Sequence, residues 1–155
     1  MNAHDSRWDT GPFGAFCNFE GKRQFPGLGI NLNVLSPGQA MGLYHRENGQ
    51  EDFLVLAGEC LLIVEGEERE LKTWDFFHCP PRTEHIIVGA GDGLAVVLAV
   101  GARGRRRKGL VYPVSEFALK HGAGVKKETT DPSEAYGSFA KWKRSLYQEG
   151  WLPDL

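Results

Sequence analysis

Residues 45–51 read His-Arg-Glu-Asn-Gly-Gln-Glu, and residues 80–85 read Pro-Pro-Arg-Thr-Glu-His. These two short clusters hold four side chains able to ligate a metal: His45, Glu47, Glu51 and His85. Imidazole mixed with carboxylate suits a divalent transition metal such as zinc, manganese, iron or nickel. If residues 41–57 are extended, side chains alternate between faces, and positions 45, 47, 51, 53 and 55 share a parity. One wall then presents His45, Glu47 and Glu51 with Phe53 beside them, and His85 arrives from a neighbouring strand. Two nearby carboxylates repel, and a cation between them relieves the repulsion. Glu47 therefore reads as a fourth ligand, or alternatively as an unligated acid facing the bound species. Arg82 sits on the loop beside His85, from which a guanidinium reaches an anionic substrate or else stays a surface charge.

The elements that must carry these residues are short. Strand candidates run Leu28 to Leu35, Met41 to His45, Asp52 to Ala57, Cys60 to Glu65, Arg69 to Lys72, Phe76 to Cys79, His85 to Gly89, Leu94 to Val100 and Leu110 to Pro113. Turn signals separate them, among them Ser36-Pro37-Gly38, Asn48-Gly49, Glu65-Gly66 and Gly91-Asp92-Gly93. Short strands at near-regular spacing without long helices between them predict an all-β antiparallel barrel or jelly roll. Residues 1–27 read as an N-terminal arm packing Phe13, Phe16, Phe19 and Phe25 without regular structure, and residues 28–113 as the barrel. Residues 114–155 read as a helical extension. In it, Asp131-Pro132-Ser133-Glu134 opens an amphipathic helix in which Ala135, Phe139, Trp142 and Leu146 recur until Gly150, and a shorter helix runs from Ser115 to His121.

The two clusters also carry a resemblance. The spacing of Gly38, His45, Glu47, Glu51 and Gly58, followed by Pro80 and His85, resembles the paired motifs of the cupins, in particular small single-barrel members. Glu47 stands where the family usually has a second histidine, Arg82 where it has a glycine, and Gly89 where it has an asparagine. The resemblance implies a double-stranded β-helix barrel with a metal held inside by His45, Glu47, Glu51 and His85, and an N-terminal arm that crosses to a second subunit.

Composition narrows the classes. With 18 Lys and Arg against 20 Asp and Glu, the chain lacks the basic excess of a general nucleic-acid binder. The run Arg103 to Lys108 reads as a solvated turn, with phosphate binding as the alternative. The 3 cysteines form no CxxC pair and argue against a secreted disulfide framework. No signal peptide is recognisable and the longest apolar run, Leu94 to Val100, is too short for a membrane span, so a cytoplasmic protein is expected. His78 and Cys79 read as supporting residues behind the site, and His4 and His121 as a terminal and a helix-end histidine. Tyr44, Trp74 and Phe76 join Phe53 as aromatics that could line a pocket, although only Phe53 has the ligand parity.

Three functions fit. In the first, a metal-dependent enzyme isomerises, epimerises, decarboxylates or hydrolyses a small oxygenated acid or sugar derivative, with Glu47 or Glu51 shuttling a proton. In the second, His45, Glu51 and His85 form the two-histidine, one-carboxylate set of a non-heme iron dioxygenase. In the third, the barrel is a non-catalytic small-molecule binding or sensor module. A homodimer is expected, with the arm or the aromatic C-terminal helix at its seam.

Overall fold

The computed structural model describes residues 1–103 and 109–154. The basic run at 104–108 lies outside the described residues. Among the described residues ten strands form two antiparallel sheets: β1 (Trp8–Gly11), β2 (Gly14–Cys17), β3 (Leu28–Leu35), β4 (Glu51–Ala57), β5 (Glu59–Val64), β6 (Glu67–Lys72), β7 (Phe76–Cys79), β8 (His85–Ala90), β9 (Ala95–Ala102) and β10 (Lys143–Ser145). The larger sheet has the order β10-β1-β2-β3-β9-β4-β7, and the smaller has the order β6-β5-β8. Two helices, α1 (Glu116–Lys120) and α2 (Pro132–Tyr136), are one turn or little more. The fold is the all-β antiparallel architecture that the strand spacing predicts, in the form of the double-stranded β-helix that the resemblance implies. No helix among the described residues is long and apolar enough to cross a membrane.

Period-two alternation divides each strand of the large sheet between two environments. Inward residues Leu35, Phe53, Val55, Val97 and Ala99 meet Cys60, Leu62, Val64 and Ile87 of the small sheet in the central core. Outward residues Leu32, Val34 and Val96 are covered instead by the chain's two ends, through Trp8, Tyr147, Trp151 and Leu152. A third cluster joins the back of the small sheet, Leu43, Tyr44, Ile63, Ile86 and Val88, to Tyr112, Ala118, Val125 and Ala135 of the C-terminal region.

The structure departs from expectation in four places. Residues 41–46 and 110–113 are not strands but single ladder bridges, His45 to His85, Arg46 to Val111 and Tyr112 to Thr129, which extend the small sheet beyond β8. The chain is not extended across 47–50, where Asn48-Gly49 bends it, so His45 and Glu51 belong to opposite sheets and not to one wall. The N-terminal segment is no irregular arm, since β1 and β2 form a hairpin that pairs through β2 with β3. The helix from Asp131 has the cap and the N-terminal proline that the sequence requires, yet it stops at Tyr136. Gly137 is a poor helix residue, costing about 1 kcal/mol relative to alanine, and residues 143–145 satisfy the open edge of β1 instead. The helical spacing of Ala135, Phe139 and Trp142 thus serves separate partners: Phe139 packs on Phe13, and Trp142 stands edge-on to Phe16 over Gly11.

Candidate metal centre

His45 and His85 face each other across the bridge that joins residues 41–46 to β8. Backbone bonds of 3.2 Å (His45 N–H to the His85 carbonyl) and 2.9 Å (His85 N–H to the His45 carbonyl) bring the rings to 4.9 Å between centroids. Glu51 enters from the first residue of β4 on the opposite sheet, in register with Cys79 on one side and Gly101 on the other. One nitrogen of each ring and one oxygen of the carboxylate lie within 4.8 Å of one another. Glu51 Oε2 is 3.2 Å from His85 Nε2 and 3.5 Å from His45 Nε2.

The protons decide what this cluster wants. His45 Nδ1 lies 2.8 Å from the Leu43 carbonyl oxygen, and His85 Nδ1 lies 3.0 Å from that of Thr83. Carbonyls only accept, so each neutral ring carries its hydrogen on Nδ1 and turns the Nε2 lone pair toward Glu51. Three lone-pair donors then converge. Glu51 Oε2 and His85 Nε2 are buried without a hydrogen-bond partner, a costly arrangement unless a cation or an added proton sits between them. Histidines that bind metals characteristically donate their far N–H to a carbonyl in this way. The donor set fits a divalent transition metal.

Electrostatics shows the same tension in the metal-free chain. Burial alone would lower the pKa of His45, but Glu51, the Leu43 carbonyl and the charge of Glu47 outweigh it and raise the pKa above the ordinary histidine value. Burial would likewise raise that of Glu51, and the two histidines more than reverse it, holding the carboxyl well below its usual range. Cys79, whose sulfur is 3.3 Å from His85 Nδ1, is pushed up to about 12, chiefly by burial and then by Glu51, and stays a neutral thiol.

The other predicted residues fall into place unevenly. Glu47 lies outside the three-residue set, half-buried beside Gly109, Leu110, Val111, Thr130 and Pro132, and its charge acts on His45, Cys79 and Tyr112. Phe53 is 2% exposed, with its ring 5.4 Å from His85 and stacked on Phe77, so it forms the floor behind the three-residue cluster. Arg82 is exposed, and its Nε donates to Asn48 Oδ1 at 3.3 Å. Its φ of +70° is the left-handed conformation that a glycine takes without strain. Trp74 and Phe76 are 70% and 63% exposed and lie on the outside of the barrel, while Tyr44 is buried with its hydroxyl toward Glu84. His78 pairs outward with Asp52. Sequence reasoning missed Tyr112, whose ring is 6.1 Å from that of His45, and the carbonyls of Leu43 and Thr83. No residue type could have pointed to a carbonyl.

Residues 31–101 match the family model of the cupin domain, Cupin_2. The chain carries a cupin domain. The cupin site geometry and the match overlap fully, because His45, Glu51 and His85 all fall within it. A candidate sugar phosphate isomerase from Acidithiobacillus ferrooxidans superposes on this chain with a TM-score of 0.53 at 26% identity, covering 64% of this chain and 65% of its own. A sugar phosphate isomerase of the cupin superfamily from Silicibacter pomeroyi gives 0.54 at 25% identity, covering 66% and 62%. The chain thus spans slightly less than two thirds of the length of these two relatives. The polyketide cyclase RemF from Streptomyces resistomycificus gives 0.60 at 14% identity over 71% and 81%, a likeness of fold. No curated protein matches the chain.

Proposed function

We propose that this cupin is a metal-dependent enzyme acting on a small oxygenated acid or sugar derivative, with isomerisation as the favoured reaction type. The observation that carries the reading is the convergence of lone pairs from His45, Glu51 and His85, two of which, at Glu51 Oε2 and His85 Nε2, are buried without a hydrogen-bond partner among the described residues. The sugar phosphate isomerase at 25% identity and the candidate one at 26% support the reaction type. When bound, a divalent ion would supply Lewis acidity toward a substrate carbonyl or hydroxyl oxygen. His45 and His85 would hold it through Nε2, each oriented by a backbone carbonyl, and Glu51 through Oε2. Glu47, outside the set of three but near enough to act on His45, serves either as a further ligand or as the acid that carries a proton at its carboxyl oxygen. Phe53 and Phe77 keep water from the floor of the site, and Arg82 stands at its rim. Residues 28–113 make up the barrel in this reading, and a cytoplasmic setting agrees with three free, buried cysteines.

Elemental analysis of protein purified without added metal, followed by proton exchange of phosphorylated and unphosphorylated aldoses monitored by NMR, tests the proposal. About one ion per chain and exchange at the carbon beside the carbonyl are expected. A chain that takes up no metal even after reconstitution would leave the non-catalytic binding module. The iron dioxygenase stands as the second reading, because the set of three is two histidines and one carboxylate without Glu47. Oxygen consumption by the iron-loaded protein would favour it.

A homodimer belongs to the same reading, but its seam moves. Phe13, Phe16, Phe139, Trp142, Tyr147 and Trp151 are engaged within the chain. The open apolar surface lies on the outer face of the large sheet beyond the part that the chain's ends cover, where Leu98, Leu54 and Phe76 stand in one row across β9, β4 and β7, with Trp74 beside them. Whole aromatic side chains cover roughly 150–250 Å² each, so Trp74 and Phe76 alone expose on the order of 250–300 Å² of the roughly 800 Å² a partner contributes to a stable interface. Light scattering that returns 17.2 kDa at micromolar concentration would refute the dimer.

A further inference from the structure

At the level of Glu51, the inner face of the large sheet reads Cys79, Glu51, Gly101, Gly29 across β7, β4, β9 and β3. Neighbouring strands are about 4.8 Å apart, which puts Gly29 roughly 10 Å from the Glu51 backbone. This stretch of wall has no side chains of its own. A Cβ added at Gly101 would meet only Glu51, at 3.7 Å from Cγ and Oε1. The three atoms nearest to a Cβ added at Gly29 all belong to the Arg103 side chain, with Nε at 3.1 Å, Nη2 at 3.3 Å and Cζ at 3.6 Å. Two consecutive positions of the wall beside the His45, Glu51 and His85 cluster thus carry no side chain, with the Glu51 carboxylate at one end and the Arg103 guanidinium at the other.

Arg103 is fixed in that position. Its side chain is 19% exposed and forms an ion pair with Glu20, whose own side chain is 4% exposed. Arg103 Nη1 also donates to the Phe25 carbonyl at 3.0 Å, its backbone N–H donates to the Gly27 carbonyl at 3.0 Å, and Glu20 Oε1 accepts the Phe25 N–H at 3.1 Å. Glu20 thus fixes the guanidinium and offsets much of its charge. A guanidinium has five donors, more than these contacts use, and it pairs with phosphate or carboxylate in planar geometry. Arg82, the arginine that the sequence favours for this task, is exposed and turned to Asn48.

We propose that Arg103, poised by Glu20 over Gly29, binds the anionic group of a ligand, a phosphate or carboxylate, whose other end reaches past Gly101 toward Glu51 and the two histidines. The substrate class is then a small anionic oxygenated compound, and Arg103 is its specificity-determining residue. For the ligand's other end the inference rests on the metal reading; for the anion it stands alone.

The test titrates the reconstituted protein with inorganic phosphate, with glucose 6-phosphate and with glucose by calorimetry, and measures metal content in parallel. Wild type should bind both phosphates and bind glucose at least tenfold more weakly. Arg103→Gln should lose at least tenfold in affinity for the two phosphates at unchanged metal content, and Arg103→Lys should lose less. Glu20→Gln carries the opposite sign: it keeps a hydrogen-bonding partner for Arg103 but frees its charge, so phosphate binding should tighten several-fold. An ion pair that merely staples residues 20–27 to the end of β9 predicts lower melting temperatures in both variants and no gain in affinity. If Arg103→Gln fails to fold, Glu20→Gln decides alone. Wild type that ignores phosphate, an Arg103→Gln protein that binds it as the parent does, or a Glu20→Gln protein with no gain overturns the proposal. Phosphate binding by a chain that holds no metal would sink the metal reading and leave this one standing.

Discussion

Two neighbours on one strand, Glu51 and Asp52, each face histidine, and the two encounters differ in kind. Asp52 points out of the barrel and meets His78 Nδ1 at 2.6 Å, with Gln50 Nε2 donating to its other oxygen at 2.6 Å, so every group involved has a complementary partner. Glu51 points in and meets two histidines whose N–H groups are already committed to carbonyls. The side-chain types match and the strand is shared. Solvent and backbone carbonyls make the difference: on the outer face a proton sits between donor and acceptor, whereas on the inner face acceptors are aimed at acceptors. A carboxylate beside a histidine is therefore suited to hold a metal only when something else has taken the histidine's hydrogen.

The sharpest way to break this contrast is to remove one inner donor. His85→Ala should weaken metal binding by more than about 100-fold, beyond the 10–100-fold typical of losing only a supporting partner. Elemental analysis after gel filtration reads it, and a His85→Ala chain that keeps its metal would sink the site. Glu47→His restores the histidine that cupins usually have at this position and should keep or strengthen retention.

Proton competition sharpens the contrast next. Before metal binds, His45 has a raised pKa, so the stabilisation it gives the metal-free fold is complete below the ordinary histidine value of about 6.5 and is lost as pH rises through the higher folded value. Glu51 has a depressed pKa, and its contribution is present above about 4.3 and lost as pH falls through the lower folded value. Between these limits a proton on His45 occupies the place of the cation. Metal affinity should accordingly rise by up to about tenfold per pH unit between 6 and 8 while one proton is displaced, and calorimetry in buffers of different ionisation enthalpy should find that proton released. Flat affinity across this range would mean that the histidines are not the ligands.

Arg82 predicts a smaller effect. A non-glycine residue at φ +70° costs on the order of 1 kcal/mol, so Arg82→Gly should stabilise the chain by up to about that amount and leave metal binding untouched. A loss of stability in urea would show that its bond to Asn48 outweighs the strain.

How legible all this was follows the reach of each cause. β3 runs as its alternating apolar residues dictate, and β4, β5, β8 and β9 begin or end within two residues of their turn signals, because period and turn are local. That His45, Glu51 and His85 would gather in one cluster was legible through their spacing and the motifs it resembles. That His45 and Glu51 come from opposite sheets was not, since parity extrapolated across Asn48-Gly49 assumes a strand that the turn interrupts. Nor was β10, where a helical spacing of apolar residues coincided with the need of β1 for an edge partner more than 130 residues away in sequence. The glycine wall and Arg103 became visible only once register aligned Gly29 with Gly101 and Glu51.

The outer pair supplies the last prediction and the smallest effect. Asp52 and His78 have side chains 23% and 54% exposed, so their attraction is screened, and pairs of this kind contribute roughly 0.2–1 kcal/mol. Asp52→Ala should therefore shift the urea midpoint by no more than that range implies and leave metal stoichiometry as in the parent, although Asp52 adjoins a ligand in the chain. Alternation along β4 makes the two readouts independent: residue 52 projects to the face opposite residue 51, and shortening its side chain removes nothing that orients His45 or His85. If Asp52→Ala released the metal, or cost more than about 2 kcal/mol, the two faces of the strand would be coupled, and the inner histidines would owe their orientation to more than the Leu43 and Thr83 carbonyls.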